Sequence, residues 1–297
     1  MTIRFDNRVA IVTGAGNGLG RQYALDLAAR GAKVVVNDLG GARDGTGGSL
    51  SAAQMVVDEI QAAGGEAMAN GASVTDEAAI SALVNDVKAR WGRIDILINN
   101  AGILRDRTFS KMSLEDFRTV LEVHLMGSVI CTKAVWEIMR AAAYGRILMT
   151  TSSSGLYGSF GQANYSAAKL GLVGLMKTLA LEGAKYNVHV NSIAPLAATR
   201  MTEDLMPEAL AAKMGPETVS PAALYLVSEE APTNLILNAG AGGFEASHVT
   251  LTKGIHVGPD AMTPETVAAR LAEIRDRSGE MVPEAGAAQG QVALAGG

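Results

Sequence analysis

Residues Val9–Gly20 read VAIVTGAGNGLG, an apolar, β-branched run that passes straight into a glycine-rich turn. A helix-length stretch follows. Gly14, Gly18 and Gly20 let the backbone turn tightly and approach a ligand closely. The helix N-terminus beyond them offers free N–H groups and the positive end of its dipole. With Asn17 and Leu19, these glycines are expected to cradle the pyrophosphate of a dinucleotide. Asp38, at the end of the next apolar run, completes the pattern. A carboxylate there accepts hydrogen bonds from a ribose 2′-OH and repels a 2′-phosphate, so NAD is expected rather than NADP.

Outward from this turn, short apolar runs alternate with helical stretches. Lys33–Asp38, Ile94–Asn99, Arg146–Ser152 and Val188–Ile193 join Val9–Thr13 as strands buried on both faces. Glu66–Gly71 and Leu235–Asn238 are weaker strands. Helices are expected over Leu19–Arg30, Ser49–Ala63, Asp76–Trp91, Leu114–Arg140, Asn164–Lys185 and Pro221–Ser228, with Ser49 and Asp76 as N-caps. This alternation specifies right-handed crossovers and an α/β fold: one doubly wound Rossmann domain on a mostly parallel seven-stranded sheet, with a C-terminal helical extension. The domain is expected to span residues 1–260 and the extension 261–282. The tail, 283–297, is too poor in large apolar residues to order itself. Gly40–Gly48 reads as a mobile loop.

Composition narrows the classes. The 297 residues carry 25 Lys+Arg against 30 Asp+Glu, a net charge of −5, which argues against a nucleic-acid partner. The sole cysteine, Cys131, excludes a disulfide framework and reads as a buried inert thiol. His124, His189, His248 and His256 lack metal-ligand spacing, so no metal is expected. No apolar run reaches the roughly 18–20 residues of a membrane span. Met1–Asn7 does not read as a signal peptide, and a cytoplasmic setting is the expectation.

The residues that carry chemistry lie further along. Asn99-Asn100-Ala101-Gly102 closes a strand with small residues, where a ligand would lie against the sheet edge, so Asn100, Ala101 and Gly102 are candidate cofactor contacts. Tyr165 and Lys169 stand at i and i+4, on one helix face. The ammonium is expected to lower the phenol toward a useful general base. Ser152, at the end of the preceding strand, can hold a substrate oxygen beside that phenol. A lone Tyr-x-x-x-Lys pair is usually a surface pair; Ser152 and the glycine loop in the same chain make it a catalytic set.

With these motifs the sequence resembles the short-chain dehydrogenase/reductase family. Thr13–Gly20 matches the family's Thr-Gly-x-x-x-Gly-x-Gly, and Asn99–Gly102 its Asn-Asn-Ala-Gly. Ser152, Tyr165 and Lys169 fall on its catalytic serine and Tyr-x-x-x-Lys. The resemblance implies hydride transfer between nicotinamide and a carbonyl or alcohol carbon. Tyr165 would move the proton, Lys169 would hold the ribose and Ser152 would orient the substrate oxygen. VVVNDLGG (34–41), NNAGILRDRTF (99–109) and FGQANYSAAKLGL (160–172) are closer still to the (3R)-hydroxyacyl-CoA dehydrogenase modules of peroxisomal multifunctional enzymes. That implies an acyl-CoA or steroid substrate. Ala295-Gly296-Gly297 does not resemble a peroxisomal address, and the chain reads as a free-standing relative.

Some positions depart from the family. His124 stands where an active-site asparagine is usual; it is a candidate catalytic relay, with helix packing as the other reading. Ser73-Val74 replaces an adenine-contacting acid and keeps that cofactor-binding position. Pro195, a further cofactor contact, precedes Leu196 rather than glycine, which leaves Thr199 and Thr202 both open as nicotinamide partners. Met201, Leu205, Met206, Leu210 and Met214 suit either a substrate lid or core packing, and Arg105, Arg107 and Arg200 are candidates for CoA phosphates. The reading is an NAD-dependent oxidoreductase acting on a small-molecule substrate, as a homodimer or homotetramer. An NADPH-dependent carbonyl or 3-oxoacyl carrier-protein reductase and a dinucleotide-sensing scaffold are the alternatives. Asp38 opposes the first, and the complete Ser–Tyr–Lys set opposes the second.

Overall fold

Ala10 and Val12 of β1 (Val9–Thr13) pack into the core on one face of the sheet, Val9 and Ile11 into the core on the other, and all four are buried. The alternation repeats in β2 (Lys33–Asn37), where Val34 and Val36 oppose Val35, and in β4 (Ile96–Asn99), where Ile96 and Ile98 oppose Leu97. Strands buried on both faces require helices on both faces. Each such valine, isoleucine or leucine contributes about 1.5–3 kcal/mol by leaving water.

The computed structural model describes residues 2–42, 44–197 and 213–295. These form two compact units, residues 1–246 and 247–297. In the first, β3 (Glu66–Asn70), β5 (Gly145–Thr150), β6 (Val188–Pro195), β7 (Ile236–Gly240) and β8 (Gly243–Ser247) complete a sheet of order β3-β2-β1-β4-β5-β6-β7-β8. Pairing is parallel from β3 through β7. Strand order reverses between β1 and β4, which opens a crevice beyond their carboxyl ends. The sheet has one strand more than expected. β8 (GFEAS) has a single large apolar residue, so no strand pattern marks it; the turn Ala241-Gly242, at φ 51° and 85°, creates it.

The helices are α1 (Gly18–Ala29), α2 (Ser51–Ala62), α3 (Glu77–Trp91), α4 (Leu114–Leu121), α5 (Gly127–Ala141), α6 (Ser153–Tyr157), α7 (Ala163–Gly183) and α8 (Ser220–Leu226). Asp76 caps α3 by accepting from Ala79 N at 2.9 Å. Ser49 does not cap α2; Leu50 holds that position, and Ser49 Oγ accepts from Ser51 N instead. The continuous helix expected over 114–140 is interrupted by a π-helical turn, Glu122–Met126, centred on His124.

The second unit carries α9 (Pro264–Ala269), α10 (Leu271–Ile274) and α11 (Ala287–Ala295), and Leu251 bridges Met281. The division falls at 246/247 rather than 260. A helix stands within the stretch expected to lack order, in keeping with the high helix propensity of its alanines. Among the described residues, no helix is long and apolar enough to cross a membrane.

Candidate active site

The floor of the crevice is built by backbone contact. Gly14 adopts φ 62°, and a Cβ there would lie 2.8 Å from Ala101 Cα. A Cβ on Gly20 would lie 2.2 Å from the Gly14 carbonyl oxygen, so glycine alone lets α1 pack under the loop. Thr13 and Asn100 stitch β1 to the end of β4. Thr13 Oγ1 accepts from Asn100 N at 3.0 Å and Ala101 N at 3.1 Å, while Asn100 Nδ2 donates to the carbonyls of Thr13 and Gly14, each at 3.0 Å.

Above this floor lies a cleft of about 530 Å³. Gly14, Asn17, Gly18, Leu19, Asp38, Ser73, Val74, Asn100, Ala101 and Gly102 line it. Gly20 sits beneath it. Pro195 is not brought to it and instead pairs with Ala239 at the end of β6. Sequence reasoning missed Asn37, Gly41, Ala42, Gly45, Thr75, Ile103 and Val123, which also line the cleft. The glycine run after β2 held the signal for Gly41, Ala42 and Gly45. It folds over the cleft with its own bonds, Ala42 N to Thr46 O at 2.7 Å and Ser49 N to Leu39 O at 2.9 Å.

The cleft fits a dinucleotide. α1 begins without a side-chain cap or an acidic residue in its first turn, which leaves its N–H groups and positive dipole end for an anion. Asp38 is held rigidly: Oδ2 accepts from Gly16 N and Oδ1 from Gly40 N, both at 2.7 Å. Each oxygen keeps a lone pair for a further donor.

Ser152, Tyr165 and Lys169 form a second cluster, outside the lining of this cleft. Ser152 begins α6, and its Oγ accepts from Ser154 N at 3.2 Å. It also lies near enough to Tyr165 to pull the phenol down. Gly155 allows α6 to approach α7; a Cβ there would lie 2.8 Å from Lys169 Cβ. Lys169 is buried and donates from Nζ to Thr150 O at 2.6 Å. Its nitrogen lies 5.4 Å from the Tyr165 ring centroid. Burial pulls Lys169 down to about 7. Burial outweighs the ammonium, and the Tyr165 phenol lies above its ordinary range rather than below it as expected. Burial pushes Tyr165 up, Ser152 pulls it back, and the Asp106 carboxylate adds to the rise. A phenol, hydroxyl and amine so arranged can pass a proton to or from a bound oxygen.

His124 lies between the two clusters. Its Nε2 is 2.8 Å from Ile103 O and 3.0 Å from Ile103 N, and its Nδ1 is buried with no partner. A Cβ on Gly102 would lie 2.3 Å from His124 Cε1. Burial, reinforced by Lys169, pulls the imidazole down to about 3, so it is neutral. No hydrogen bond joins it to Lys169 among the described residues. Cys131 is buried, and its thiol is pushed up to about 12.

Arg105 is engaged by Asp116 and the Asp44 carbonyl, not free for a phosphate, and Arg107 bonds the neighbouring Asp106 carbonyl. Met214 is buried. Thr199, Arg200, Met201, Thr202, Leu205, Met206 and Leu210 lie outside the described residues.

Three comparisons agree with this geometry. The profile of the short chain dehydrogenase family matches residues 8–209. A short-chain type dehydrogenase/reductase of Mycobacterium tuberculosis is 50% identical over 277 residues, covering 93% of this chain and 96% of that one. The full-length peroxisomal multifunctional enzyme type 2 of Drosophila melanogaster superposes with a TM-score of 0.83 at 40% identity, over 99% of this chain and 50% of that one. The present chain thus spans half the length of that multifunctional relative. A 7α-hydroxysteroid dehydrogenase solved with NADH and 7-oxo glycochenodeoxycholic acid superposes with a TM-score of 0.73 at 32% identity, over 81% of this chain and 95% of that one.

Proposed function

The chain belongs to the short-chain dehydrogenase family, and on that footing we propose that it is an NAD-dependent oxidoreductase of secondary alcohols and ketones. Its substrate is a 3-hydroxyacyl-CoA or another bulky hydrophobic compound, a steroid among them. The Asp38 carboxylate, fixed between Gly16 N and Gly40 N, carries the cofactor choice. A 2′-phosphate brought to ~4 Å of it costs about 4 kcal/mol at an effective dielectric constant of about 20. The NADH bound by the similar hydroxysteroid dehydrogenase supports the same choice. The likeness to the multifunctional enzyme supports the acyl-CoA class.

Gly14, Asn17, Gly18 and Leu19 would hold the pyrophosphate, Asp38 the adenosine ribose, and Asn100–Gly102 the cofactor's inner half. The bound nicotinamide supplies the carbon that gives or takes the hydride. Tyr165 exchanges the proton with the substrate oxygen, Ser152 orients that oxygen, and Lys169 binds ribose and feeds the proton path. The outward face of α7, with Ala167, Leu170, Gly174 and Leu181 exposed, supports assembly as a homodimer or homotetramer.

Absorbance at 340 nm tests the reading, with NAD and NADP each offered against 3-hydroxyacyl-CoAs, hydroxysteroids and simple secondary alcohols. NAD with a hydroxyacyl-CoA should give the highest kcat/KM. Equal efficiency with NADP overturns the cofactor choice, and turnover of simple alcohols alone overturns the substrate class.

A further inference from the structure

The glycine-rich segment over the cleft is tied to the catalytic helix through one residue, by its side chain on one side and its backbone carbonyl on the other. Arg105 Nε donates to the Asp44 carbonyl at 3.1 Å, and Nη1 pairs with Asp116 Oδ1 at 3.1 Å. Next to Asp44, Gly45 lines the cleft, and a Cβ there would touch Ile103 at 3.2 Å. On its backbone side, the Arg105 carbonyl accepts from Asn164 Nδ2 at 3.1 Å. Asn164 is fully buried, and its Oδ1 accepts from Tyr165 N at 2.8 Å. The neighbours repeat the tie: Gln162 Nε2 donates to Asp106 Oδ2 at 2.7 Å, and Arg107 N donates to Gly161 O at 3.0 Å. A planar guanidinium holds two acceptors in one fixed geometry, which a lysine ammonium on its flexible stem does not.

We infer that Arg105 is a positioning residue: it couples the seating of the glycine-rich segment over the cleft to the turn that carries Tyr165, so filling the cleft orders the proton-transferring end of the site. This rests on the dinucleotide reading of the cleft. Each shift of Asp44 toward a bound ligand pulls on Arg105, and Arg105 in turn fixes Asn164 and the first turn of α7.

NADH titration by its own fluorescence, amide hydrogen exchange of residues 161–169 with and without saturating NADH, and kcat at saturating NAD test this in the full chain. In the wild type, NADH should slow exchange across 161–169. In Arg105→Ala, NADH affinity should fall roughly tenfold, kcat should fall roughly tenfold, and the slowing should vanish. Asn164→Ala should lower kcat while NADH affinity stays within about twofold, because the segment keeps its Arg105 bond. Arg105→Lys should fall between wild type and alanine; where the alanine variant does not fold, it decides the same readouts. Wild-type affinity, or undiminished exchange protection, in the Arg105 variants overturns the coupling. A wild-type chain that does not bind NADH overturns the dinucleotide reading, and the coupling with it. NADH binding without turnover of any substrate overturns only the substrate class, and hydrogen exchange still decides the coupling.

Discussion

His124 and Tyr165 meet edge to face, with ring centroids 5.2 Å apart and planes at 89°. Such pairs stabilise by about 0.5–1.5 kcal/mol beyond their buried area. The contact couples the π-helical turn to the catalytic helix. It also keeps an ionisable ring out of water beside the buried Lys169, and that arrangement makes stability depend on pH.

His124 has a folded-state pKa of about 3 against an ordinary 6.5. Between those values the unfolded chain binds a proton that the folded chain refuses. Stability from this group is complete above pH 6.5 and is lost as pH falls toward 3, with a slope approaching ~1.4 kcal/mol per pH unit. His124→Asn should flatten the decline in Tm measured by calorimetry from pH 7 to pH 5. Equal declines in the two proteins would refute this.

Gly102→Ala places a methyl against the His124 ring. Overpacking of this kind costs about 1–3 kcal/mol. Urea denaturation should register that loss, and the double variant with His124→Ala should recover much of it. Independent, additive losses would mean that the ring and Gly102 do not press on each other.

Tyr165→Phe removes the hydroxyl and little else. Turnover should fall by about 10²–10⁴-fold while NADH affinity by fluorescence titration is retained. Near-normal turnover would move the proton transfer to another group.

Asp38→Ala removes the anion that opposes a 2′-phosphate and the acceptor for Gly16 N and Gly40 N. The ratio of kcat/KM for NAD over NADP should drop by roughly tenfold or more, with KM for NAD rising as the loop loosens. An unchanged ratio would assign discrimination to another residue.

The parallel sheet was legible because strands buried on both faces leave an unbroken apolar signature, as in Val34–Val36 and Ile96–Ile98. The glycine loop, Asp38 and the Tyr165–Lys169 spacing were legible because each depends on local geometry. β8 was not, since a two-residue turn creates it rather than its own pattern. The π-helical turn at His124 was not either. It arises where an imidazole meets the backbone of Ile103, 21 residues away, and no helical periodicity records such a meeting. Lys169's low basicity was hidden for the same kind of reason: it comes from the helices packed around it, not from Tyr165.

The Thr13–Asn100 stitch joins residues 87 positions apart. The chain between them, β2 and β3 with their crossover helices, forms one long loop that the meeting of β1 and β4 closes. Closing so long a loop is slow and comes late in folding. A dinucleotide in the refolding buffer should therefore lengthen the lifetime of the finished molecule without hastening its appearance, because the surface that recognises it is among the last to form.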